Sequence, residues 1–266
     1  MKLVVIGGGN MGLTYAKGIH QAGLLTEKIS ILETGDVFTQ LVNTEPDFNV
    51  YENAEDCIKN ADILLIAVKP FHAKDVFESI KNYTTKNQVV ISVMAGIKIS
   101  TIESGLDLEK IVRSMPNLPA MIGKGMTAFT SSKNLSSEEE KIVVQILEST
   151  GEVIQVKTED DIDKSTGLSG SGTAYILYFM EGLINAAKEF GFSEEEAKKI
   201  VSQTFDGAVE LYRRNDLSTS EWIEKVCSKG GTTIEAINSF ESNNVKDSIK
   251  KGAFAAYKRA LELGNS

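Results

Sequence analysis

Six residues near the start of the chain have types and spacing that could hold a phosphate group. They are Gly7, Gly8, Gly9, Asn10, Met11 and Gly12, and they follow an apolar run at residues 3–6. In this pattern the first glycine permits a tight turn, the third lets the backbone approach a pyrophosphate, and the last lets a helix pack closely on the preceding strand. The helix N-terminus then offers free N–H groups to phosphate oxygens. The pattern predicts dinucleotide binding, and the alternative is a glycine-rich turn without a ligand.

An acidic residue follows at the distance expected for ribose recognition. Glu33 ends the next predicted strand, about 20 positions beyond Gly12, where a carboxylate can accept hydrogen bonds from the adenosine ribose. A 2′-phosphate there would meet a negative charge, and Thr34, Gly35 and Asp36 supply no cation. We therefore expect NADH to be used at least as well as NADPH, without excluding NADPH. The alternative is a solvent-facing strand end.

Two later strand ends suit the same ligand. They carry Ala67, Val68, Lys69 and Pro70 after one strand, and Met94, Ala95 and Gly96 after the next. Open α/β sheets bind ligands at the carboxyl ends of their strands. The small residues of the second set leave room for a nicotinamide ribose. Lys69 either contacts the cofactor phosphates or is solvated, and Pro70 biases its backbone toward an extended conformation.

Two turns in the second half of the chain combine hydroxyl groups with free amides. Residues 167–172 read GLSGSG and residues 228–233 read SKGGTT, each before a predicted helix. Such turns can bind an anion, although each alone is more often a helix cap. Two such turns in one helical region indicate a substrate that carries a carboxylate.

The composition disfavours several kinds of protein. The net charge of −9 argues against binding to nucleic acid phosphates. No apolar run reaches the roughly 20 residues needed to span a bilayer, and the first residues lack signal-peptide features, so we expect a cytoplasmic protein without a membrane partner. Cys57 and Cys227 lack metal-ligand spacing, and His20 and His72 are the only histidines, so no metal site is indicated.

The elements that must position these turns alternate in the first part of the chain. Strands are predicted at residues 2–6, 28–32, 63–68, 88–93, 110–114, 126–130 and 152–156. Helices are predicted at residues 11–22, 73–82 and 137–149, the last with a capping box of Ser137 and Glu140. This alternation predicts an α/β domain of the Rossmann type, with a mostly parallel sheet.

After about residue 158 the strand pattern disappears. Helices are predicted at residues 174–190, 194–214, 220–227, 233–241 and 245–263, the second capped by Ser193 with Glu196. We therefore predict a dinucleotide-binding domain at residues 1–158 and an all-α domain at residues 159–266. The first helix of the all-α domain, at residues 174–190, has a broad apolar face that needs a partner surface, either in its own domain or in a second subunit.

These motifs together resemble the pyrroline-5-carboxylate reductase family. The resemblance rests on the glycine turn, ADILLIAVKP at 61–70, VMAGI at 93–97, RSMPNLPAMIGKGMTAF at 113–129, TGLSGSGTAYIL at 166–177 and SKGGTTIEAI at 228–237. The last two blocks are the ones that are specific to this family. The resemblance implies NAD(P)H-dependent reduction of the cyclic imine 1-pyrroline-5-carboxylate to L-proline, in proline biosynthesis. It also implies a homodimer joined through the helical domain, in some members assembled into a ring of dimers.

The resemblance also assigns roles to residues. The cofactor contacts would be the glycine turn, Asn53, Ala67 to Pro70 and Met94 to Gly96. The substrate pocket would consist of Glu159, Ser228, Gly230, Gly231, Thr232 and Thr233, with the Thr233 hydroxyl hydrogen-bonded to the ring nitrogen. Reduction of an imine needs a hydride donor, a proton for nitrogen and donors for the carboxylate, but no metal and no covalent nucleophile.

Three positions depart from the usual family residues and keep other functions open. Leu118 stands where threonine is usual, and Thr173 and Lys229 stand where proline is usual. A reductase of a related cyclic imine acid and a non-catalytic regulatory relative are the alternatives. A β-hydroxyacid dehydrogenase is disfavoured, because residues 172–179 lack the lysine that those enzymes carry on the first long interdomain helix.

Overall fold

The computed structural model describes residues 1–264 and divides into two units. The first unit contains residues 1–171 and the last turns of the C-terminal helix from Ala255, and the second is Gly172–Phe254. The predicted boundary between residues 158 and 159 lies within the first unit and stays a prediction.

The strands of the first unit form one sheet. They are β1 Leu3–Ile6, β2 Ser30–Leu32, β3 Asn49–Tyr51, β4 Ile63–Ile66, β5 Val89–Ser92, β6 Ile111–Met115, β7 Gly125–Ser131 and β8 Gly151–Gln155. Their order is β3-β2-β1-β4-β5-β6-β7-β8. All neighbours pair in parallel except β6 and β7, which confirms the mostly parallel sheet. The chain order reverses direction in the sheet beside β1, where doubly wound folds bind their ligands.

The helices confirm most of the predicted pattern. They are α1 Asn10–Gln21, α2 Gly35–Thr44, α3 Ala73–Ile80, α4 Ile99–Leu106, α5 Ser137–Glu148, α6 Glu159–Ser165, α7 Gly172–Glu189, α8 Glu194–Arg213, α9 Thr219–Val226, α10 Thr232–Ser242 and α11 Val245–Leu263. Every predicted strand and helix is present, with ends that differ by at most two residues. The elements that the sequence analysis missed are β3, α2, α4 and α6.

The capping box of α5 was predicted one residue too late. Ser136, not Ser137, is the capping residue, and its hydroxyl accepts the N–H of Glu139 at 3.3 Å. The Glu139 carboxylate accepts the N–H of Ser136 at 2.8 Å in return. Two serines followed by three glutamates fit either register, so the pattern alone does not choose. The predicted cap of α8 by Ser193 and Glu196 is confirmed.

Both faces of the sheet are buried under helices. Val5 and Leu65 face one side, where they join a core that includes Tyr15 of α1. Leu64 faces the other side, in a core with Phe77 of α3. Successive residues of a strand point to opposite faces, so strands buried on both sides read as continuous apolar runs.

The second unit is a set of helices with little enclosed core. Phe179 of α7 contacts Phe205 of α8 and Phe240 of α10 edge to face, with ring centroids 5.9 and 6.1 Å apart. Many large apolar side chains nevertheless stay exposed, including Ile176, Leu177, Tyr178, Ile249 and Phe254. Within residues 1–264, none of the helices combines the length and apolar character needed to cross a bilayer.

Candidate functional site

The glycine turn joins β1 to α1, and its backbone explains the glycine at positions 7 and 12. Gly7 has a φ of +98°, which side chains disfavour. A Cβ on Gly12 would lie 1.9 Å from the Gly7 carbonyl oxygen, so only glycine allows the helix to start this close to the strand. A Cβ on Gly9 would meet no atom of the described chain within 4 Å. That open side is where a pyrophosphate could approach.

The N-terminus of α1 is available to an anion. No side chain among residues 1–264 caps this helix, and its first turn contains no acidic residue. By contrast, α5, α8 and α9 each begin with a serine whose hydroxyl accepts a backbone N–H. The positive end of the α1 dipole and its unpaired amides therefore suit phosphate oxygens.

A cavity of about 420 Å³ lies beside the turn, at the carboxyl ends of β1 and β2. The predicted residues Gly7, Glu33, Asn53 and Val68 all line it. Thr34 also lines it, as do residues that the sequence did not indicate: Glu52, Ala54, Glu55, Val76, Ser79 and Tyr83. Most of these residues come from the segment after β3 and from α3, and no local motif distinguishes them.

The Glu33 carboxylate is held at the edge of this cavity. Its two oxygens accept the N–H of Gly8 at 2.7 Å and the N–H of Thr34 at 2.8 Å. Glu52 and Glu55 add two further carboxylates to the lining, and no lysine or arginine is among the described lining residues. The cavity therefore presents three carboxylates that can accept hydrogen bonds from hydroxyl groups.

The two later strand ends lie along the same edge of the sheet. Lys69 is exposed and has the extended backbone predicted from the proline that follows. Met94 is buried, and Gly96 has a φ of +77°. A Cβ on Gly96 would lie 3.2 Å from backbone atoms of Leu263 and Gly264, so the end of α11 packs directly on this loop.

Glu159, predicted to contact substrate, is the first residue of α6 and belongs to a buried ion cluster. Its Oε1 accepts hydrogen bonds from Arg113 Nη1 at 3.2 Å and from the N–H of Ile99 at 2.9 Å. Arg113 lies on β6 with 1% of its surface exposed, and its Nη2 donates to Asp163 at 2.5 Å. Arg113 was not among the predicted site residues, although a lone arginine in an apolar strand, followed later by carboxylates four residues apart, is a detectable signal.

The SKGGTT turn lies in the second unit, between α9 and α10. Gly230 has a φ of +71°, and the N–H of Gly231 donates to the Ser228 carbonyl at 3.0 Å. Gly231 precedes α10 without a side-chain cap among the described residues, so the amides of Thr232 and Thr233 start the helix unpaired by a side chain. Among described residues, the turn therefore resembles the α1 N-terminus in offering free donors to an anion.

The structure brings Gly7, Glu33, Asn53 and Val68 to one cavity of the first unit, and it places the SKGGTT turn in the second. The Thr233 side chain lines an apolar cavity of about 420 Å³ together with Trp222 and Ile237.

Cys57 is buried, and burial raises the pKa of its thiol to about 11, with the charge of Asp56 adding to the effect. This thiol stays protonated at neutral pH and is a poor nucleophile.

Comparison with known proteins links both parts of the chain to one group of enzymes. Residues 159–263 match the family model described as pyrroline-5-carboxylate reductase dimerisation, and residues 2–96 match the model described as NADP oxidoreductase, coenzyme F420-dependent. The pyrroline-5-carboxylate reductase of Methanosarcina acetivorans is 31% identical, covering 99% of this chain and 98% of its own. That of Aquifex aeolicus is 34% identical, covering 99% and 97%.

Two solved structures are similar over the whole chain. The Plasmodium falciparum pyrroline carboxylate reductase with NADP bound is 32% identical, with a TM-score of 0.89 and coverage of 99% of this chain and 98% of the other. The pyrroline-5-carboxylate reductase of Coxiella burnetii is also 32% identical, with a TM-score of 0.90 and coverage of 100% and 99%. The fold and the order of the two parts are therefore shared along the full length.

Proposed function

The chain belongs to the pyrroline-5-carboxylate reductase family, and from this we propose that it reduces 1-pyrroline-5-carboxylate to L-proline with NADH or NADPH. The observation that carries the proposal is the similarity along the full length to enzymes of that name, through both the cofactor unit and the helical unit. Family membership leaves no support for the β-hydroxyacid dehydrogenase alternative. The experiment is to follow the oxidation of NADH and NADPH with the purified protein and this imine.

The first unit fits the cofactor. The open side of Gly9 and the uncapped N-terminus of α1 would hold the pyrophosphate, and the cavity that includes Glu33 would hold the adenosine ribose. When bound, the reduced nicotinamide supplies a hydride for the imine carbon. Because positioning accounts for much of the rate in such reactions, these residues would act by orientation rather than by covalent chemistry.

The SKGGTT turn provides the donors that the substrate needs. The backbone amides of Gly230, Thr232 and Thr233 would hold the substrate carboxylate, with the Ser228 hydroxyl beside them. The Thr233 hydroxyl would hydrogen-bond the ring nitrogen, which takes up a proton as the double bond is reduced. Glu159 would be a further substrate contact, and its carboxylate also accepts hydrogen bonds from Arg113 and from the Ile99 N–H.

We expect NADH to be used at least as efficiently as NADPH. Glu33, Glu52 and Glu55 place three carboxylates around the cavity that would receive a 2′-phosphate. Replacing Glu33 with alanine should lower kcat/KM for NADH and raise it for NADPH, so that their ratio falls about tenfold, which corresponds to about 1.4 kcal/mol. Steady-state kinetics with both cofactors measure this ratio.

Glu138→Ala is the matched control for this measurement. Glu138 is an exposed residue of α5, so its replacement removes the same charge far from the cavity lining and should leave the ratio unchanged. A strong preference of the wild-type protein for NADPH would contradict the expectation about Glu33.

We also propose that the protein is a homodimer joined through its helical unit. Tyr178 and Ile176 are 79% and 54% exposed on α7, and they line an apolar groove of about 550 Å³ with residues of α8 and α11. Soluble monomers rarely expose so many large apolar groups together. A second copy of the chain would cover them.

Substitution of Ile176 with glutamate should convert the dimer to monomers, because a carboxylate would be buried without a partner. Sedimentation velocity measures the change in mass. Asn82→Glu, at an exposed position of the first unit, introduces the same charge and should leave the mass unchanged. A wild-type protein that sediments as a monomer would contradict the proposal, and a larger mass would identify the ring of dimers.

A further inference from the structure

The loop between β5 and α4, residues 93–98, lies on the half of the sheet that would receive the nicotinamide. The sheet order places β3, β2 and β1 on one side of the reversal point and β4, β5 and β6 on the other. In doubly wound sheets each half binds one mononucleotide of the cofactor. The cavity with Glu33 belongs to the first half, so the loop after β5 belongs to the second. The inference below rests on the proposed function through this assignment.

The Glu159 carboxylate is bonded to the far end of this loop. Ile99 is the first residue of α4, and its N–H donates to Glu159 Oε1 at 2.9 Å. The carboxylate also suits the positive end of the α4 dipole. Since Glu159 starts a different helix, α6, this bond joins two segments that are 60 residues apart in the chain.

Arg113 prevents that carboxylate from moving. Its guanidinium is 1% exposed and donates to Glu159 from Nη1 and to Asp163 from Nη2. The planar fork requires both carboxylates to keep a fixed geometry, and a buried charge of this kind cannot exchange its partners for water. The start of α6 is further fixed by the reciprocal hydrogen bonds of Thr158 and Asp161.

The near side of the loop is held by the end of α11. The backbone of Leu263 and Gly264 packs on Gly96, where no side chain would fit without displacement. The Tyr257 hydroxyl of α11 donates to Asp160 of α6 at 2.6 Å. The loop is therefore held at Ile99 by α6 and at Gly96 by the end of α11, and these two helices are bonded to each other.

We propose that Glu159 and Arg113 are positioning residues that hold the β5–α4 loop in the conformation required by the nicotinamide half of the cofactor. Glu159 acts through the Ile99 amide, and Arg113 acts through Glu159. This role differs from a substrate contact because it changes the affinity for the nicotinamide half in the absence of any imine.

The test compares binding of NADH and of ADP-ribose to the full-length protein by isothermal titration calorimetry. ADP-ribose contains the adenosine and both phosphates but no nicotinamide. Glu159→Ala is expected to raise the Kd for NADH about tenfold and to leave the Kd for ADP-ribose unchanged, as the loss of one charge-assisted hydrogen bond implies. Glu159→Gln keeps an oxygen acceptor for the Ile99 N–H, so its Kd for NADH should rise only about threefold.

Asp163→Asn is the matched control. It removes the charge of Asp163 but keeps an oxygen acceptor for Arg113 Nη2, and it leaves the Arg113–Glu159 and Glu159–Ile99 hydrogen bonds in place. It should therefore lower the Tm while both Kd values stay within twofold of wild type. A purely structural role for the cluster would instead make the Asp163 and Glu159 variants alike, which would overturn the proposal.

Two further results would overturn it: an unchanged Kd for NADH in the Glu159 variants, or equal increases for NADH and ADP-ribose. If Glu159→Ala does not fold, the Glu159→Gln variant decides by the same comparison. A residue that only binds substrate would raise KM for the imine without changing the Kd for NADH. Since neither binding measurement uses the imine, the result stands apart from success or failure of the proposed reaction.

Discussion

Replacement of Gly12 with alanine is expected to weaken NADH binding at least about 100-fold. The new Cβ would lie 1.9 Å from the Gly7 carbonyl oxygen and 3.0 Å from a methyl group of Val5. Both neighbours belong to the turn and its strand, so α1 must move away from the position in which its amides meet a phosphate. Where positioning dominates, a displacement of about 1 Å is enough to lower a reaction rate about 100-fold, and we expect a comparable loss of affinity here. Calorimetry with NADH measures the effect.

Two other glycines distinguish loss of binding from loss of folding. A Cβ on Gly9 meets no described atom, so Gly9→Ala should keep the wild-type Tm and still weaken NADH binding by obstructing the pyrophosphate. Gly207 lies inside α8 with free space around it, so Gly207→Ala should bind NADH normally and gain about 0.5–1 kcal/mol of stability. Wild-type affinity in Gly12→Ala would show that the turn does not bind the cofactor.

Replacement of Thr233 with alanine is expected to lower kcat for reduction of 1-pyrroline-5-carboxylate about 100-fold. Loss of one hydrogen bond at the atom that gains a proton commonly has an effect of this size. The Kd for NADH should not change, because Thr233 is proposed to bind the imine and not the cofactor. Stopped-flow measurement of NADH oxidation gives kcat, and calorimetry gives the Kd.

Thr233→Ser is the conservative variant for this experiment. It retains the hydroxyl and should keep most of the activity, whereas a residue needed only for packing would suffer from the lost methyl group as well. Wild-type turnover in Thr233→Ala would refute the role of the hydroxyl. If NADH binds but the wild-type protein leaves this imine unreduced, Lys229→Pro and a six-membered cyclic imine acid are the next variant and substrate to test.

Local patterns in the sequence determined most of the architecture. The bounds of α11 agree with the prediction at both ends, and Ser193 caps α8 as expected. Helix periodicity, capping residues and strand alternation are properties of neighbouring residues, so they are readable without the fold. The glycine turn is equally local, since its function depends on six consecutive residues between a strand and a helix.

Elements with weak local patterns were missed because the predictions relied on the properties of neighbouring residues. The strand β3 has three residues and pairs only with β2, so its stability comes from the sheet and not from its own sequence. The helix α6 is seven residues long and is held by Arg113 from β6. The register of the α5 cap depended on a choice between Ser136 and Ser137 that only the packed helix resolves.

The sequence by itself therefore determined the two-part organisation, the mostly parallel sheet and the positions of the glycine turn and of the SKGGTT turn. Only the tertiary structure decided which distant side chains lie beside them. Glu52 lines the cavity with Glu33, and Glu159 meets Arg113 and Ile99, because these residues lie on or after different strands of one sheet. Contacts of this kind depend on packing across the whole sheet, and no spacing within one segment encodes them.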